Sequence, residues 1–171
     1  MANVVIQRSA RALDINALNR SGVYSADIDN GSVMRLDTQV TPNGDLWTAT
    51  LPTTGNLTGL WMAYSPKVVV TAGKYKGIDP DPRNFVNVAN VAQDFFKPEV
   101  GDIITMTTLS GTQSTNTFVV ATNGASGLTW SATAPASTFA MKLIGSDYID
   151  LQTGSIGVNK LAAFKFEVVA N

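Results

Sequence analysis

The chain has 171 residues, of which 44% are hydrophobic and only 15% are charged, and its net charge is −1. It contains no cysteine and no histidine, which excludes disulfides, thiolate metal sites and a histidine general base. A balanced charge with a pI near 5.2 gives no electrostatic reason to bind nucleic acid.

The length and hydrophobic content predict one domain with a substantial buried core. No segment approaches the roughly 20 consecutive apolar residues that span a bilayer. The first residues, from Met1 to Arg8, lack the long apolar run of a secretory signal. We therefore expect a protein that has no membrane partner and is made in a cytoplasm.

Residues 1–20 differ from the rest of the chain. Their apolar positions fit neither the strand period of 2 nor the helix period of 3.6. An amphipathic helix, a first strand with solvated arginines and an extended arm that reaches a neighbouring subunit all remain open. We take the arm as the working hypothesis for residues 1–20, followed by a single β domain over 21–171 with an optional subdivision near Pro98. The candidate lattice and subunit contacts are Val4, Ile6, Arg8, Arg11 and Arg20.

The next part of the chain predicts short strands bounded by turns. Residues 32–36 follow the turn sequence Asp29-Asn30-Gly31. Residues 46–51 follow Pro42-Asn43-Gly44-Asp45, where Asn-Gly suits a two-residue type I′ hairpin turn. Residues 60–64 and 67–71 are further strands at similar spacing. Regular short strands of this kind are typical of sandwiches and barrels.

Residues 73–98 interrupt this rhythm. The sequence Asp79-Pro80-Asp81-Pro82 predicts a rigid loop, because each proline removes a backbone donor and favours extended geometry before it. From Asn87 to Phe96, the residues Val88, Val91 and Phe95 have helical spacing. This segment therefore predicts one or two helical turns.

The 39 residues from Ile103 to Met141 contain no charged side chain. They are rich in Thr, Ser, Ala and Gly, with β-type runs at 103–107, 117–120 and 128–130. A soluble domain typically has about a quarter of its residues charged. We therefore predict that this exterior is a hydroxyl-rich sheet face or is covered by neighbouring subunits.

The β pattern continues to the end of the chain, at residues 140–144, 148–151 and 162–169. The last run alternates Phe164, Phe166 and Val168 with Lys165 and Glu167, which predicts a strand with one buried face. The predicted fold class is therefore mainly β, an antiparallel sandwich or barrel-like domain of short strands with an N-terminal arm and a Pro-rich loop.

Neither carboxylate cluster of the sequence matches a metal site. Counted from Asp27, the fifth position of a calcium loop is Gly31, where Asp or Asn is required, and the twelfth is Thr38, where Glu is required. For Asp79 and Asp81 we favour a rigid loop in which one aspartate pairs with Arg83. We predict no metal ion and no cofactor.

The patterns of the common enzyme classes are also missing. Asp147 and Asp150 are three residues apart in a predicted strand and would face opposite sides, which argues against a glycosidase pair. Trp47, Trp61 and Trp130 could form a sugar-stacking platform, but their apolar neighbours favour core or interface packing. We predict a protein that is not an enzyme.

Five segments resemble a family of small virion proteins of tailed bacteriophages, encoded near the major capsid protein. The segments are Asn3–Ser9, Gly59–Pro66, Tyr75–Arg83, Phe96–Ile104 and Ala163–Val169. The resemblance implies a capsid decoration, or auxiliary head, protein that binds and stabilises the capsid lattice. It also implies location in the virion, a homo-oligomeric state and the major capsid protein or further copies of the chain as partners. It supplies no catalytic residues.

Two alternatives remain open. A tail-tube subunit needs a long hairpin that completes a ring with the next subunit, and the uncharged region 103–141 could supply one. A carbohydrate-binding module displayed on the virion would need at least one of the three tryptophans to be exposed.

Overall fold

A computed structural model describes residues 3–42, 44–65, 70–71, 74–75, 83, 85–150 and 160–171. The predicted Pro-rich loop at 79–82 and residues 67–69 of a predicted strand lie outside these ranges. In the described ranges the chain forms thirteen strands and two short 3-10 turns, Arg11–Leu13 and Asn16–Leu18. The strands are β1 Val5–Ser9, β2 Asn19–Val23, β3 Val33–Gln39, β4 Leu46–Thr50, β5 Trp61–Ala63, β6 Val70–Thr71, β7 Lys74–Tyr75, β8 Ala92–Phe96, β9 Ile103–Met106, β10 Phe118–Val120, β11 Thr129–Ser131, β12 Ala140–Asp150 and β13 Lys160–Ala170.

Five strands close into a small barrel in the order β2-β4-β3-β5-β8. The β2–β4 pair is parallel and the other barrel pairs are antiparallel. The barrel is narrow at Gly22, where an added Cβ would lie 2.9 Å from both Leu36 and Phe95. Its interior is filled by a cluster that comprises Ile28, Met34, Ala49, Trp61, Ala63 and Phe95.

Six strands form an antiparallel sheet in the order β1-β9-β13-β12-β10-β11. The alternation predicted for the last strand is confirmed, since Phe166 and Val168 are fully buried whereas Glu167 is exposed. The mainly β fold class is therefore confirmed. Of the two predicted forms, the barrel is present, as a closed five-stranded barrel that packs against an open sheet.

The barrel and the sheet share one hydrophobic core. The barrel side supplies Val33, Leu60, Met62 and Phe96, and the sheet side supplies Ile104, Met106, Val119, Met141, Phe166 and Val168. Pro98 lies between the last barrel strand and β9, so the optional subdivision falls where the chain passes from the barrel to the sheet. The two halves are nevertheless packed together, because neither covers this apolar surface alone.

The predicted helix between Asn87 and Phe96 is wrong. Asn87 forms an isolated bridge with Ile28, and Ala92–Phe96 is the strand β8. Gln93 is buried and its Nε2 donates a hydrogen bond to the Val88 carbonyl at 3.0 Å. The buried positions 93 and 95 therefore follow the strand period, but the polar nature of Gln93 concealed that period in the sequence.

The predicted hairpin between β3 and β4 is confirmed, but its two-residue turn is wrong. The Val40 N–H donates to the Leu46 carbonyl at 2.7 Å, and residues 41–45 form the connection. The loop therefore has five residues, three more than a type I′ turn requires. Asn43 itself lies outside the described residues.

Gly31, just before β3, lies against residues of the sheet and supports a first prediction. Its φ is +84°, and an added Cβ would lie 2.6 Å from Asn3 Nδ2, 2.7 Å from Val5 Cγ2 and 2.9 Å from Met106 Cε. Gly31→Ala should therefore lower the free energy of unfolding by about 2–4 kcal/mol, from backbone strain and overpacking together. Chemical denaturation of the purified variant measures this loss.

Gly55 is the matched control. It has the same φ of +84° but nothing within 4 Å of an added Cβ. Gly55→Ala should carry only the backbone strain, about 1 kcal/mol. Equal losses in the two variants would contradict the close packing of Gly31 between the barrel and the sheet.

Candidate functional site

The N-terminal segment belongs to the fold of its own chain. Strand β1 pairs with β9, with Val5 opposite Met106. Asn3 Oδ1 accepts hydrogen bonds from the N–H groups of Thr107 and Thr108, at 3.1 and 2.9 Å. Of the three alternatives for this segment, a helix, a first β-strand and an extended arm, the structure shows the β-strand. Residues 3–9 therefore do not form a free arm.

The five candidate contact residues have different surroundings. Val4 is 5% exposed and packs with Ile149 and Ala163, and Ile6 is partly buried against the same cluster. Val4 therefore has no free surface to offer a neighbour in this fold. Arg8 and Arg11 are exposed, whereas Arg20 is half-buried at the barrel.

Strand β1 lies at the edge of the six-stranded sheet, with β9 as its one neighbour in that sheet. Val5 is buried and Gln7 is half-buried, whereas Arg8 and Ser9 are exposed. Addition of a partner strand is a known use of such an edge. Accessibility limits this use to the end of β1 near Arg8 and Ser9.

Arg8 forms an ion pair across the outer face of the sheet. Its Nη2 lies 3.0 Å from Asp147 Oδ2, which also accepts a hydrogen bond from Thr105 Oγ1 at 3.0 Å. The backbone N–H of Tyr148 lowers the pKa of Asp147, burial opposes this shift, and Thr105 and Arg8 lower the pKa further. Asp147 is therefore an anchored carboxylate and is unsuited to donate a proton, whereas the side chain of Asp150 lies outside the described part of the chain.

The three tryptophans do not form a common platform. Trp130 is 8% exposed and packs edge-on against Phe164, with ring centroids 5.2 Å apart. Trp61 is 7% exposed inside the barrel, and Trp47 is half-buried. Trp61 and Trp130 are therefore core residues, as their apolar neighbours in the sequence predicted.

A cleft of about 660 Å³ opens beside the barrel, and we call it the barrel-mouth cleft. Side chains alternate along a strand, so Arg20 faces the same side as Gly22, toward the barrel interior. The Cζ atom of Arg20 lies 4.1 Å from the ring centroid of Trp47 and 4.6 Å from that of Trp61. The lining of the cleft includes Leu13, Arg20, Asp45, Trp47, Tyr64 and Asp94.

The guanidinium of Arg20 lies over two tryptophan rings. Among the described residues, no oxygen accepts a hydrogen bond from it; Asp94 Oδ1 accepts instead from Ser21 Oγ, at 3.5 Å. Stacking on two indole rings stabilises the cation and holds its plane. The sequence singled out Arg20 and both tryptophans separately, but no spacing rule joins positions 20, 47 and 61.

The region without charges forms exposed connections and three short strands. Strands β9, β10 and β11 have three or four residues each, so region 103–141 does not supply the long hairpin that the tail-tube alternative requires. Instead, β12 and β13 form a hairpin of eleven residues a strand. We call the exposed part of the region the uncharged surface; it comprises Thr108, Ser110, Gly111, Thr112, Ser114, Thr115, Thr117, Asn123, Gly124, Gly127, Ala132, Thr133, Pro135, Ala136 and Ser137.

The described residues contain no group of three or more carboxylates that could hold a metal ion. Among the same residues, no helix has the length and apolarity to cross a membrane.

Comparisons with protein-family models, with curated proteins and with solved structures find no match to this chain.

The anchored carboxylate supports a second prediction. Because the pKa of Asp147 is lowered in the fold, its ionised form adds stability above its unfolded pKa of about 3.9, and this is lost as the pH falls through the folded value. Asp147→Asn should lower the free energy of unfolding at pH 7 by about 0.2–1 kcal/mol, since the pair is partly exposed. Denaturant titrations of the protein and variant at several pH values measure the difference.

The difference between the protein and Asp147→Asn should shrink toward zero as the pH is lowered to about 2. Asp14→Asn removes an exposed carboxylate elsewhere and serves as the control. A difference that stayed constant down to that pH would show that Asp147 does not act through its charge.

Proposed function

We propose that the chain is a non-enzymatic structural protein of a tailed-bacteriophage virion, a capsid decoration protein that binds and stabilises the capsid lattice. The resemblance of five segments to virion proteins introduces this function. The observation that carries it is the uncharged surface, in which small and hydroxyl side chains are exposed over the loops that connect β9, β10, β11 and β12.

Burying such a surface on binding costs little free energy. Fixing a Lys, Arg or Glu side chain costs up to about 2 kcal/mol of rotamer freedom, whereas Gly, Ala and Pro lose none. Charged groups must in addition be stripped of water. A contact through Ser, Thr, Ala and Gly lowers both costs, so even a modest patch favours binding when it is repeated over many copies in a lattice.

Several ionic groups of the sheet lie on its other strands. Arg8 and Asp147 form their ion pair between β1 and β12. Lys142 lies closer, because it pairs opposite Phe118, next to Thr117 of the uncharged surface. We expect the uncharged surface to pack against the lattice while the face with Arg8 and Asp147 remains in contact with solvent. A decoration protein needs both, because one side meets the shell and the other meets the medium.

A third prediction tests the uncharged surface. Ala136→Glu adds a carboxylate to an exposed turn of that surface, and should reduce the copies of the chain per particle because the charge would be buried on binding. Ala26→Glu makes the same change at an exposed position on the barrel and should leave occupancy unchanged. Quantitative electrophoresis of purified virions gives the copy number.

Cryo-electron microscopy of virions locates the chain directly. Density on the outer lattice of the head supports decoration. Wild-type occupancy with Ala136→Glu, in a variant that folds normally by circular dichroism, would rule out the uncharged surface as the contact.

A tail-tube subunit is the second candidate, and the hairpin of β12 and β13 favours it. Ile144 and Tyr148 on this hairpin are 45% and 60% exposed. A long hairpin with exposed apolar residues could complete a ring with the next subunit. Negative-stain electron microscopy of the purified chain separates the two candidates: rings or tubes support the tail, and compact particles support decoration.

A further inference from the structure

We propose that the barrel-mouth cleft binds an acidic side chain of a partner protein, with Arg20 as the residue that pairs with its carboxylate. This inference deepens the proposed function and depends on it only for the identity of the partner. Binding of a carboxylate is a property of the isolated chain and is measured separately.

Arg20 is prepared for such a pair. The guanidinium carbon lies over the rings of Trp47 and Trp61, 4.1 and 4.6 Å from their centroids. The N–H donors of Arg20 lie in the plane of the guanidinium, and among the described residues no oxygen accepts a hydrogen bond from them. A planar donor fork matches a carboxylate through two parallel hydrogen bonds. Since the stacking already restricts the side chain, less conformational freedom is lost when the ligand binds.

The charge of the cleft favours a polypeptide over a nucleic acid. Arg20 contributes +1, and Asp45 and Asp94 contribute −2, so these three lining residues sum to −1. This balance repels a chain of phosphates more strongly than a ligand with one negative charge, because every phosphate adds to the repulsion. A peptide with one acidic residue offers a single carboxylate, which can pair with Arg20.

The apolar part of the cleft favours a protein partner over a sugar. Leu13 is 60% exposed and lines the cleft beside Tyr64 and Trp47. Trp, Tyr and Arg are the residues that most often dominate the energy of protein interfaces. A sugar would need a free indole face, but Arg20 lies over the Trp47 ring, and Trp61 does not line the cleft. The ligand we expect is therefore an acidic residue flanked by apolar ones.

A fourth prediction tests this site on the full chain. An acetylated and amidated tripeptide with glutamate between two leucines should shift the Arg20 Nε–Hε resonance and a tryptophan indole resonance saturably in nitrogen-15 NMR titrations. The same peptide with glutamine in place of glutamate should bind at least about tenfold more weakly, because an amide cannot form the charged pair.

Arg20→Lys keeps the charge but loses the planar fork, and should weaken binding of the acidic peptide at least about tenfold. Arg11→Lys is the matched control, an exposed arginine that does not line the cleft, and should bind like the unmodified chain. Leu13→Ala should weaken binding a few-fold through lost apolar contact.

Equal affinity for the two peptides, or unchanged binding by Arg20→Lys, would overturn the proposal. Tighter binding of inorganic phosphate or of a short single-stranded DNA than of the acidic peptide would also overturn it. If the chain binds the peptide but is absent from virions, the carboxylate site is supported and the proposed function is contradicted. If the chain is present in virions but does not bind the peptide, the proposed function is supported and the carboxylate site is contradicted.

Discussion

The core shared by the barrel and the sheet is the constraint on which the rest of the molecule depends. A five-stranded barrel encloses few side chains, and a six-stranded sheet leaves one face apolar. Met62 and Phe96 of the barrel pack against Ile104 and Phe166 of the sheet. This contact enlarges the core of the barrel and covers the apolar face of the sheet. Gly31 lies at a tight contact between the two parts, where Asn3, Val5 and Met106 leave no room for a Cβ.

This arrangement explains how so few charges suffice. Most large apolar residues are buried in three clusters, and the exposed part of region 107–137 consists largely of hydroxyl and small side chains. Hydroxyl groups form hydrogen bonds with water, so they keep the surface hydrated. Removing that water on binding costs less free energy for a hydroxyl group than for a charged group. The same choice of residues therefore serves a hydrated surface and a surface suited to contact with a lattice, which is why the uncharged surface carries the proposed function.

The sequence predicted most strands, because alternation and turn residues are local signals. It failed where burial overrode residue type: Gln93 is polar but buried, so β8 resembled a helix. It also could not distinguish an arm from a first strand, since the partner of β1 is β9, about a hundred residues away. Among the candidate contacts, Val4 proved to be interior and Arg20 proved to be stacked, and neither outcome follows from local pattern.

The sequence by itself determined the β class, the short strands, the absence of thiol and imidazole chemistry, and the charge-free region. These properties depend on composition and on neighbours along the chain, where side-chain period and turn geometry act directly. Tertiary structure alone decided that a barrel and a sheet share one core, and that Arg20 meets Trp47 and Trp61. Such contacts join residues on strands β2, β4 and β5, and only closure of the barrel brings those strands into the same few ångströms.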